Sequence, residues 1–316
     1  MKKYLTLLPL TLLTLASCGR TPASAGLRIL APKGAPSVGL YGFAHDERLT
    51  TVKAENVLPM FQSDQYDILV APTHGGLKAI NMDQANFKIA ATITFGNLYL
   101  VKMNQEDAEL SDGDKVLVFQ KNNGMGKIFT NLYGDLNLTV YDASGGLDGE
   151  ANSVRTTLEN GGSYISDDGL VNVDYIFAAE PVITATGTGD KVYKNIQDEF
   201  KNKHSNLMIT QASIFVRNGV NTDWVNDFLD KVEADITAGL ADPALIKSAI
   251  ESMGSLQEQQ LRFGVSGGIA YNVTTNGNKL SLGFKRAAEI KNDITNFCTI
   301  MTNATAGNCR EEIIYQ

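Results

Sequence analysis

The sequence is poor in the residue types that bind metals or nucleic acids. Its 316 residues include three histidines and three cysteines, and 35 acidic residues outnumber 27 basic ones, for a formal net charge of −8. The histidines lie far apart and have no cysteine pair beside them, so zinc-site spacings are absent. A general nucleic-acid-binding protein needs a basic face. We therefore predict no metal, no cofactor and no nucleic-acid partner.

Two short motifs resemble catalytic ones but lack essential parts. Residues 264–268 (GVSGG) match the G-x-S-x-G pattern of α/β-hydrolases, yet that motif needs a preceding strand and a later histidine. Residues 258–262 have a helical pattern, and the last histidine is His204. Residues 123–127 (NGMGK) lack the glycine spacing and the hydroxyl residue of a phosphate-binding loop. We expect no enzymatic activity.

The N-terminus has the pattern of an export signal. Lys2 and Lys3 precede an apolar stretch over residues 5–15, which is too short for the ~20 residues of a membrane-spanning helix. Residues 15–18 (LASC) resemble a lipobox, which implies a signal peptide over residues 1–17, acylation of Cys18 and a flexible tether over residues 18–26. The alternative is an ordinary secretory peptide cleaved near Ala16, with Cys18 as a plain thiol.

The rest of the chain exceeds the usual size of a single hydrophobic core, which predicts two lobes. Short apolar runs alternate with amphipathic stretches, a pattern that favours an α/β fold with mainly parallel sheets flanked by helices. We assign residues 27–102 and 213–316 to lobe 1 and residues 103–212 to lobe 2, with two hinge crossings between them.

Cys298 and Cys309 lie eleven positions apart near the C-terminus. Export would place them where disulfides persist, and residues 304–308 could turn the chain back. We predict a disulfide between them; the alternative is two unrelated thiols.

Several segments follow predicted strands and open predicted helices, where open α/β sheets bind ligands. They supply the candidate ligand-binding residues Lys33, Gly34, Ala35, Pro36, Ser37, Thr73, His74, Gly75, Gly76, Thr94, Phe95, Gly96, Asn97, Asn122, Asn123, Gly124, Met125, Gly126 and Glu180.

Four of these segments together resemble the type II periplasmic-binding fold, in the branch that binds sulfonates, taurine, nitrate and pyrimidine precursors. They are residues 31–37 (APKGAPS), 67–76 (DILVAPTHGG), 96–101 (GNLYLV) and 178–182 (AAEPV). The resemblance covers essentially the whole mature chain. It implies a solute-binding protein that delivers its solute to an ABC permease and its ATPase. Free N–H groups at the strand-to-helix segments favour a small polar or anionic solute, and we expect a monomer. The family's charged ligand-binding residues have no evident counterpart here.

Each candidate has a plainer alternative. Ser37 could cap a helix whose free N–H groups face an anion, or residues 34–37 could form an ordinary turn. His74 could face the ligand or solvent, and Glu180 could bind a ligand amine or a neighbouring basic group. Residues 122–126 could close on the ligand from lobe 2, whereas Phe95 could stack on it or belong to the core.

The function predicted from the sequence is therefore solute binding for an ABC importer. The protein would be anchored by lipid to the outer face of the cytoplasmic membrane or lie in the periplasm. Two alternatives remain: a lipid-anchored sensor or adhesin, and a cofactor-precursor enzyme on the same fold.

Overall fold

The computed structural model describes residues 26–104, 109–122, 124–143 and 153–316. The predicted signal peptide, Cys18 and Asn123 lie outside the described residues. Within them the chain forms a six-stranded sheet, a five-stranded sheet and a two-stranded hairpin, with helices around both large sheets. This confirms the predicted α/β fold.

The strands β1 to β13 are, in chain order, Ile29–Pro32, Leu49–Val52, Ile68–Pro72, Phe87–Thr94, Leu98–Lys102, Lys115–Phe119, Thr139–Ala143, Ser163–Ser166, Gly169–Asn172, Tyr175–Ala179, Val192–Asn195, Ala212–Arg217 and Leu282–Arg286. The helices α1 to α12 are Ala35–Val38, Thr73–Asn81, Gly124–Tyr133, Val154–Glu159, Val182–Ala185, Ile196–Lys203, Thr222–Ala241, Pro243–Glu251, Leu256–Phe263, Gly267–Thr275, Lys291–Met301 and Ala304–Gly307. Short 3₁₀ helices lie at Tyr41–Phe43, Ala54–Asn56, Leu58–Gln62, Gly189–Lys191 and Glu311–Ile313.

Lobe 1 contains the six-stranded sheet in the order β13-β4-β12-β3-β1-β2, and lobe 2 the five-stranded sheet β11-β5-β10-β6-β7. Strands β1 to β4 run in one direction, whereas β12 and β13 run in the other. In lobe 2, β5 runs against β6, β7, β10 and β11. The chain enters the lobe 2 sheet through β5 and re-enters the lobe 1 sheet through β12. Both strands are antiparallel to the parallel strands beside them. They therefore begin at the edge where the parallel strands end.

The crossings between the lobes lie side by side. The chain leaves lobe 1 between Thr94 and Leu98, because strand β5 pairs with β10 and β11 in the other sheet. This crossing lies on the N-terminal side of the lobe boundary that we predicted at residue 102. The chain returns just before β12, next to the boundary placed at residue 213. The N–H of Gln211 on the returning crossing donates to the carbonyl of Thr94 at 3.0 Å. Two adjacent crossings form a hinge.

One apolar cluster extends from one lobe into the other. Phe129 of α3 packs edge-on against Phe177 of β10 in lobe 2, with ring centroids 5.3 Å apart. Phe200 of α6 packs in the same way on Phe297 of α11, with centroids 5.9 Å apart. All four belong to one buried cluster that includes residues of both sheets. Strand β10 is buried along its whole length, as expected for a strand covered on both faces.

The disulfide predicted between Cys298 and Cys309 is absent. Both residues are free thiols, buried in the apolar cluster. Burial raises the pKa of Cys298 and raises that of Cys309 to about 12. Because burial in apolar surroundings favours the protonated thiol, both side chains act as core residues.

Among the described residues, no helix has the length and apolar character needed to cross a membrane.

Candidate ligand-binding cleft

A cavity of about 360 Å³ lies between the two lobes. Lobe 1 contributes residues beyond β1 and β2 and from the region of α9 and α10, and lobe 2 contributes the ends of β6 and β10 with α4 and α5. The lining residues are Lys33, Gly34, Lys53, Ala54, Glu55, Gln257, Gln260, Leu261, Gly264, Val265, Ser266 and Ile269 from lobe 1, and Phe119, Arg155, Pro181, Val182 and Ala185 from lobe 2. The size suits a small molecule, and the position is where open α/β sheets bind ligands.

The charged residues of this cleft are mainly cationic. Among the described residues, Lys33, Lys53 and Arg155 line it together with one carboxylate, that of Glu55. The Nε of Arg155 donates to Glu159 at 2.9 Å, four residues further along α4. That pair is solvent-exposed, and exposed pairs contribute ~0–1 kcal/mol, so the guanidinium can change partners at little cost. The described lining therefore carries net positive charge in a protein whose formal net charge is −8.

The remaining lining is largely apolar. Phe119, Pro181 and Val182 come from lobe 2, and Leu261 and Ile269 face them from lobe 1. Leu261 is 69% exposed, which leaves a large apolar side chain at the edge of the cleft. The cleft therefore combines cationic groups with apolar surface that a ligand would cover.

Of residues 33–37, Lys33 and Gly34 line the cavity. Gly34 has φ 100° and open space where a Cβ would lie, but its N–H already donates to the carbonyl of Phe263 at 2.8 Å. The predicted capping role of Ser37 is wrong. Gly34 occupies the N-cap position of the four-residue helix α1 and Pro36 lies in its first turn, so Ser37 falls inside the helix. Its fully buried hydroxyl donates to the carbonyls of Gly34 and Phe263; Ala35 is buried too.

Residues 73–76 do not form a loop, because helix α2 begins at Thr73 itself. The Thr73 hydroxyl is buried and lies 2.7 Å from that of Ser213. Gly75 packs against Leu58, and Gly76 against the ring of Phe215. These three residues hold the helix on lobe 1 and do not line the cavity.

His74 points from lobe 1 towards lobe 2 and meets protein there, outside the cavity lining. Its imidazole lies on Gly124, the first residue of α3 in lobe 2. Burial, and then the nearby charges of Lys127 and Lys78, lower the pKa of His74 to about 4. The imidazole is therefore neutral at neutral pH, and the predicted ligand contact is replaced by a contact between the lobes.

Residues 94–97 form the outgoing crossing of the hinge. Thr94 and Asn97 are buried, and the half-buried ring of Phe95 packs on Gly283. Gly96 has φ 97°, and a Cβ added to it would lie 2.9 Å from the amide oxygen of Gln197. The N–H of Asn97 donates to Oε1 of Gln211 at 3.1 Å on the returning crossing. These residues connect the lobes and do not line the cavity.

Glu180 is buried, and its carboxylate is used within lobe 2. Its oxygens accept hydrogen bonds from the N–H and the hydroxyl of Thr184 at 2.9 and 2.8 Å. Burial raises the pKa of Glu180, while the bonds from Thr184 and the charge of Lys279 act in the opposite direction. The residues that reach the cavity from this segment are its neighbours Pro181 and Val182.

The segment over residues 122–126 also lies away from the cavity. Asn122 is exposed, and Met125 is half-buried against the apolar core. Gly126 is buried so tightly that a Cβ would approach the Lys121 carbonyl. Asn123 is outside the described residues, and Gly124 contacts His74.

Most of the cavity lining could not have been selected from the sequence. Phe119 could have been chosen because it ends a predicted strand. Nothing in the sequence around Lys53, Arg155 or Leu261 indicates a place in the cleft. Ser266 belongs to the G-x-S-x-G match; it follows helix α9 rather than a strand, and its hydroxyl caps α10 by accepting from the N–H of Ile269. Within the described ranges, no group of three or more His, Cys, Asp and Glu side chains could hold a metal ion.

No family model matches this chain, and no curated protein matches it in sequence. Solved structures match it over almost its whole length. An ABC transporter protein from Parabacteroides distasonis has a TM-score of 0.66 at 11% identity, covering 92% of this chain and 98% of that one. The periplasmic aliphatic sulphonate-binding protein SsuA from Escherichia coli has a TM-score of 0.61 at 13% identity, covering 92% of each chain. A Candida albicans gene product with the generic periplasmic-binding-protein fold has a TM-score of 0.53 at 13% identity, covering 92% and 97%.

The chain therefore has the periplasmic-binding-protein fold. Its structural neighbours include a sulphonate-binding protein of the branch that the sequence resembles. At identities of 11 to 13%, the likeness shows the fold, and the function has to be argued from the site.

Proposed function

We propose that this protein is the solute-binding subunit of an ABC importer and that it binds a small anion with an apolar body. The observation that carries the proposal is the cleft between the lobes, where Lys33, Lys53 and Arg155 lie beside apolar side chains from both lobes. The fold shared with an ABC transporter protein and a sulphonate-binding protein supports it.

The anion would contact the cationic groups, and its apolar part would cover Phe119, Val182 and Leu261. Burying apolar surface contributes ~25 cal/mol per Å², and hydrogen bonds to charged groups contribute ~1.5–3 kcal/mol each. A ligand with both features would therefore bind more tightly than an inorganic anion or a neutral molecule of the same shape.

Binding rather than chemistry is the proposed activity. A ligand that contacts both lobes favours the closed arrangement to the extent that it binds that arrangement more tightly than the open one. The closed form would then be accepted by the permease with its ATPase. We further propose that the protein is a monomer, held by acylated Cys18 at the outer face of a membrane.

The test is calorimetric titration with matched ligands. An alkanesulfonate, the alcohol with the same carbon chain and inorganic sulfate separate the contribution of charge from that of the apolar body. We expect the sulfonate to bind and to be recovered unchanged, and the other two to bind at least tenfold more weakly, a difference of ~1.4 kcal/mol.

Two charge-removing variants locate the site. Lys33→Gln and Arg155→Gln should each raise Kd about tenfold, because each removes a hydrogen bond to a charged group. Lys285→Gln is the control, since Lys285 is exposed on β13 outside the cavity. Equal affinity in all three variants would contradict this site, and conversion of the ligand would indicate an enzyme instead.

A further inference from the structure

The lobes touch through a contact that requires a glycine. His74 is the second residue of α2 in lobe 1, and Gly124 is the first residue of α3 in lobe 2. A Cβ on Gly124 would lie 2.3 Å from Cε1 and 2.8 Å from Nε2 of the imidazole. Because real Cβ atoms do not approach other heavy atoms this closely, the ring occupies the space of the missing side chain.

A second contact lies one turn further along α3. The Nζ of Lys127 donates to the carbonyl of Met301, the last residue of α11 in lobe 1, at 2.9 Å. Carbonyls in the last turn of a helix lack an intrahelical partner, and the C-terminal end of the helix dipole attracts a cation. Helix α3 is therefore in contact with lobe 1 at two points.

These contacts are separate from the cleft, because none of the four residues lines the cavity. They lie between the same two lobes whose separation sets the cavity width. The apolar cluster shared by the lobes continues beside them through Ile128 and Phe129.

We propose that His74 and Gly124 are positioning residues whose contact sets how closely the lobes approach, and so the width of the ligand-binding cleft. Lys127 and Met301 hold α3 in the orientation that allows this contact. The contact is made by protein atoms of the two lobes. Only its effect on affinity rests on the proposed function.

The distance between the lobes is measured by pulsed electron paramagnetic resonance. Spin labels are attached at Glu233→Cys on α7 of lobe 1 and Asn160→Cys of lobe 2, both at exposed positions. Cys18 is replaced by serine, and the buried Cys298 and Cys309 do not compete for the label. No ligand is needed for this measurement.

Gly124→Val should push the imidazole out and hold the lobes apart, which shifts the distance distribution to longer values. The double variant Gly124→Val/His74→Ala should restore it, because the displaced ring is gone. Gly268→Val is the matched control, since a Cβ at Gly268 meets nothing within 4 Å. Should Gly124→Val not fold, His74→Trp places a larger side chain in the same contact from lobe 1.

Affinity for the alkanesulfonate provides a second measurement. If the larger side chain lowers the fraction of molecules with closed lobes to about one tenth, the apparent Kd rises about tenfold. It should recover in the double variant. Unchanged distances in Gly124→Val or in His74→Trp would overturn the proposal, and so would a double variant that stays open. A wild-type protein that binds no ligand but shows the predicted distances would contradict the proposed function alone.

Discussion

Asn97 and Glu180 are joined by two hydrogen bonds at the hinge. The N–H of Glu180 donates to the carbonyl of Asn97 at 2.9 Å, and Nδ2 of Asn97 donates to the carbonyl of Glu180. The N–H of Asn97 also donates to the side chain of Gln211. One buried residue thus connects the outgoing crossing, the end of β10 and the returning crossing.

Replacing this side chain should destabilise the protein. Asn97→Ala removes the amide donor and leaves the buried carbonyl of Glu180 without it, at a cost of ~1–3 kcal/mol in the free energy of unfolding. Urea unfolding followed by circular dichroism measures the change. Asn292→Ala on the exposed face of α11 is the control and should change stability by less than ~0.5 kcal/mol. Similar losses in both variants would contradict the role of Asn97.

Gly76 should tolerate no side chain, because a Cβ there would lie 2.3 Å from Cζ of Phe215. That ring is fully buried and packs edge-on against Phe61. We expect Gly76→Ala to cost ~1–3 kcal/mol through overpacking. Gly268→Ala in helix α10, where a Cβ meets nothing, should instead stabilise by up to ~1 kcal/mol. Thermal unfolding compares the two variants with the wild type. A Gly76→Ala protein as stable as the wild type would show that the core around Phe215 can accommodate the added methyl group.

The contact of His74 predicts a pH dependence of stability. Its pKa is about 4 in the folded protein, below the ordinary value of ~6.5. Between these values the unfolded chain binds a proton that the folded protein does not. The free energy of unfolding should therefore fall as pH is lowered from about 6.5 to about 4, by ~3 kcal/mol at most. His74→Gln should lose this component. The free energy of unfolding is measured for both proteins at pH values between about 4 and 6.5. An equal change with pH in the wild type and the variant would contradict the prediction.

The buried thiols should be unreactive in the native protein. Iodoacetamide followed by peptide mapping should leave Cys298 and Cys309 unmodified before unfolding, because burial favours the protonated thiol. In denaturant both should be alkylated without any reductant. Modification that appears only after a reductant is added would show that the two residues form a disulfide after all.

The alternation of apolar and amphipathic stretches was sufficient to predict the α/β fold, because strand and helix patterns repeat over a few residues, and the length of the chain was sufficient to predict two lobes. The position of the first crossing was harder to place. Residues 98–102 are as apolar as the strand before them, and only their pairing with β10 assigns them to lobe 2.

The candidate site shows where local patterns stop being informative. The segment Thr73 to Gly76 was expected to face the cleft together, but α2 starts at Thr73. Successive helical side chains point ~100° apart, so Thr73 turns to β12, His74 to lobe 2 and Gly76 to the core. Similarly, Ser37 is buried because α1 begins earlier than predicted.

The sequence by itself therefore determined the class of fold, since strand and helix patterns depend on neighbours in the chain. Only the tertiary structure decided which side chains share the cleft. Lys33, Arg155 and Leu261 come from segments more than a hundred residues apart, and packing between the two lobes brings them to one cavity.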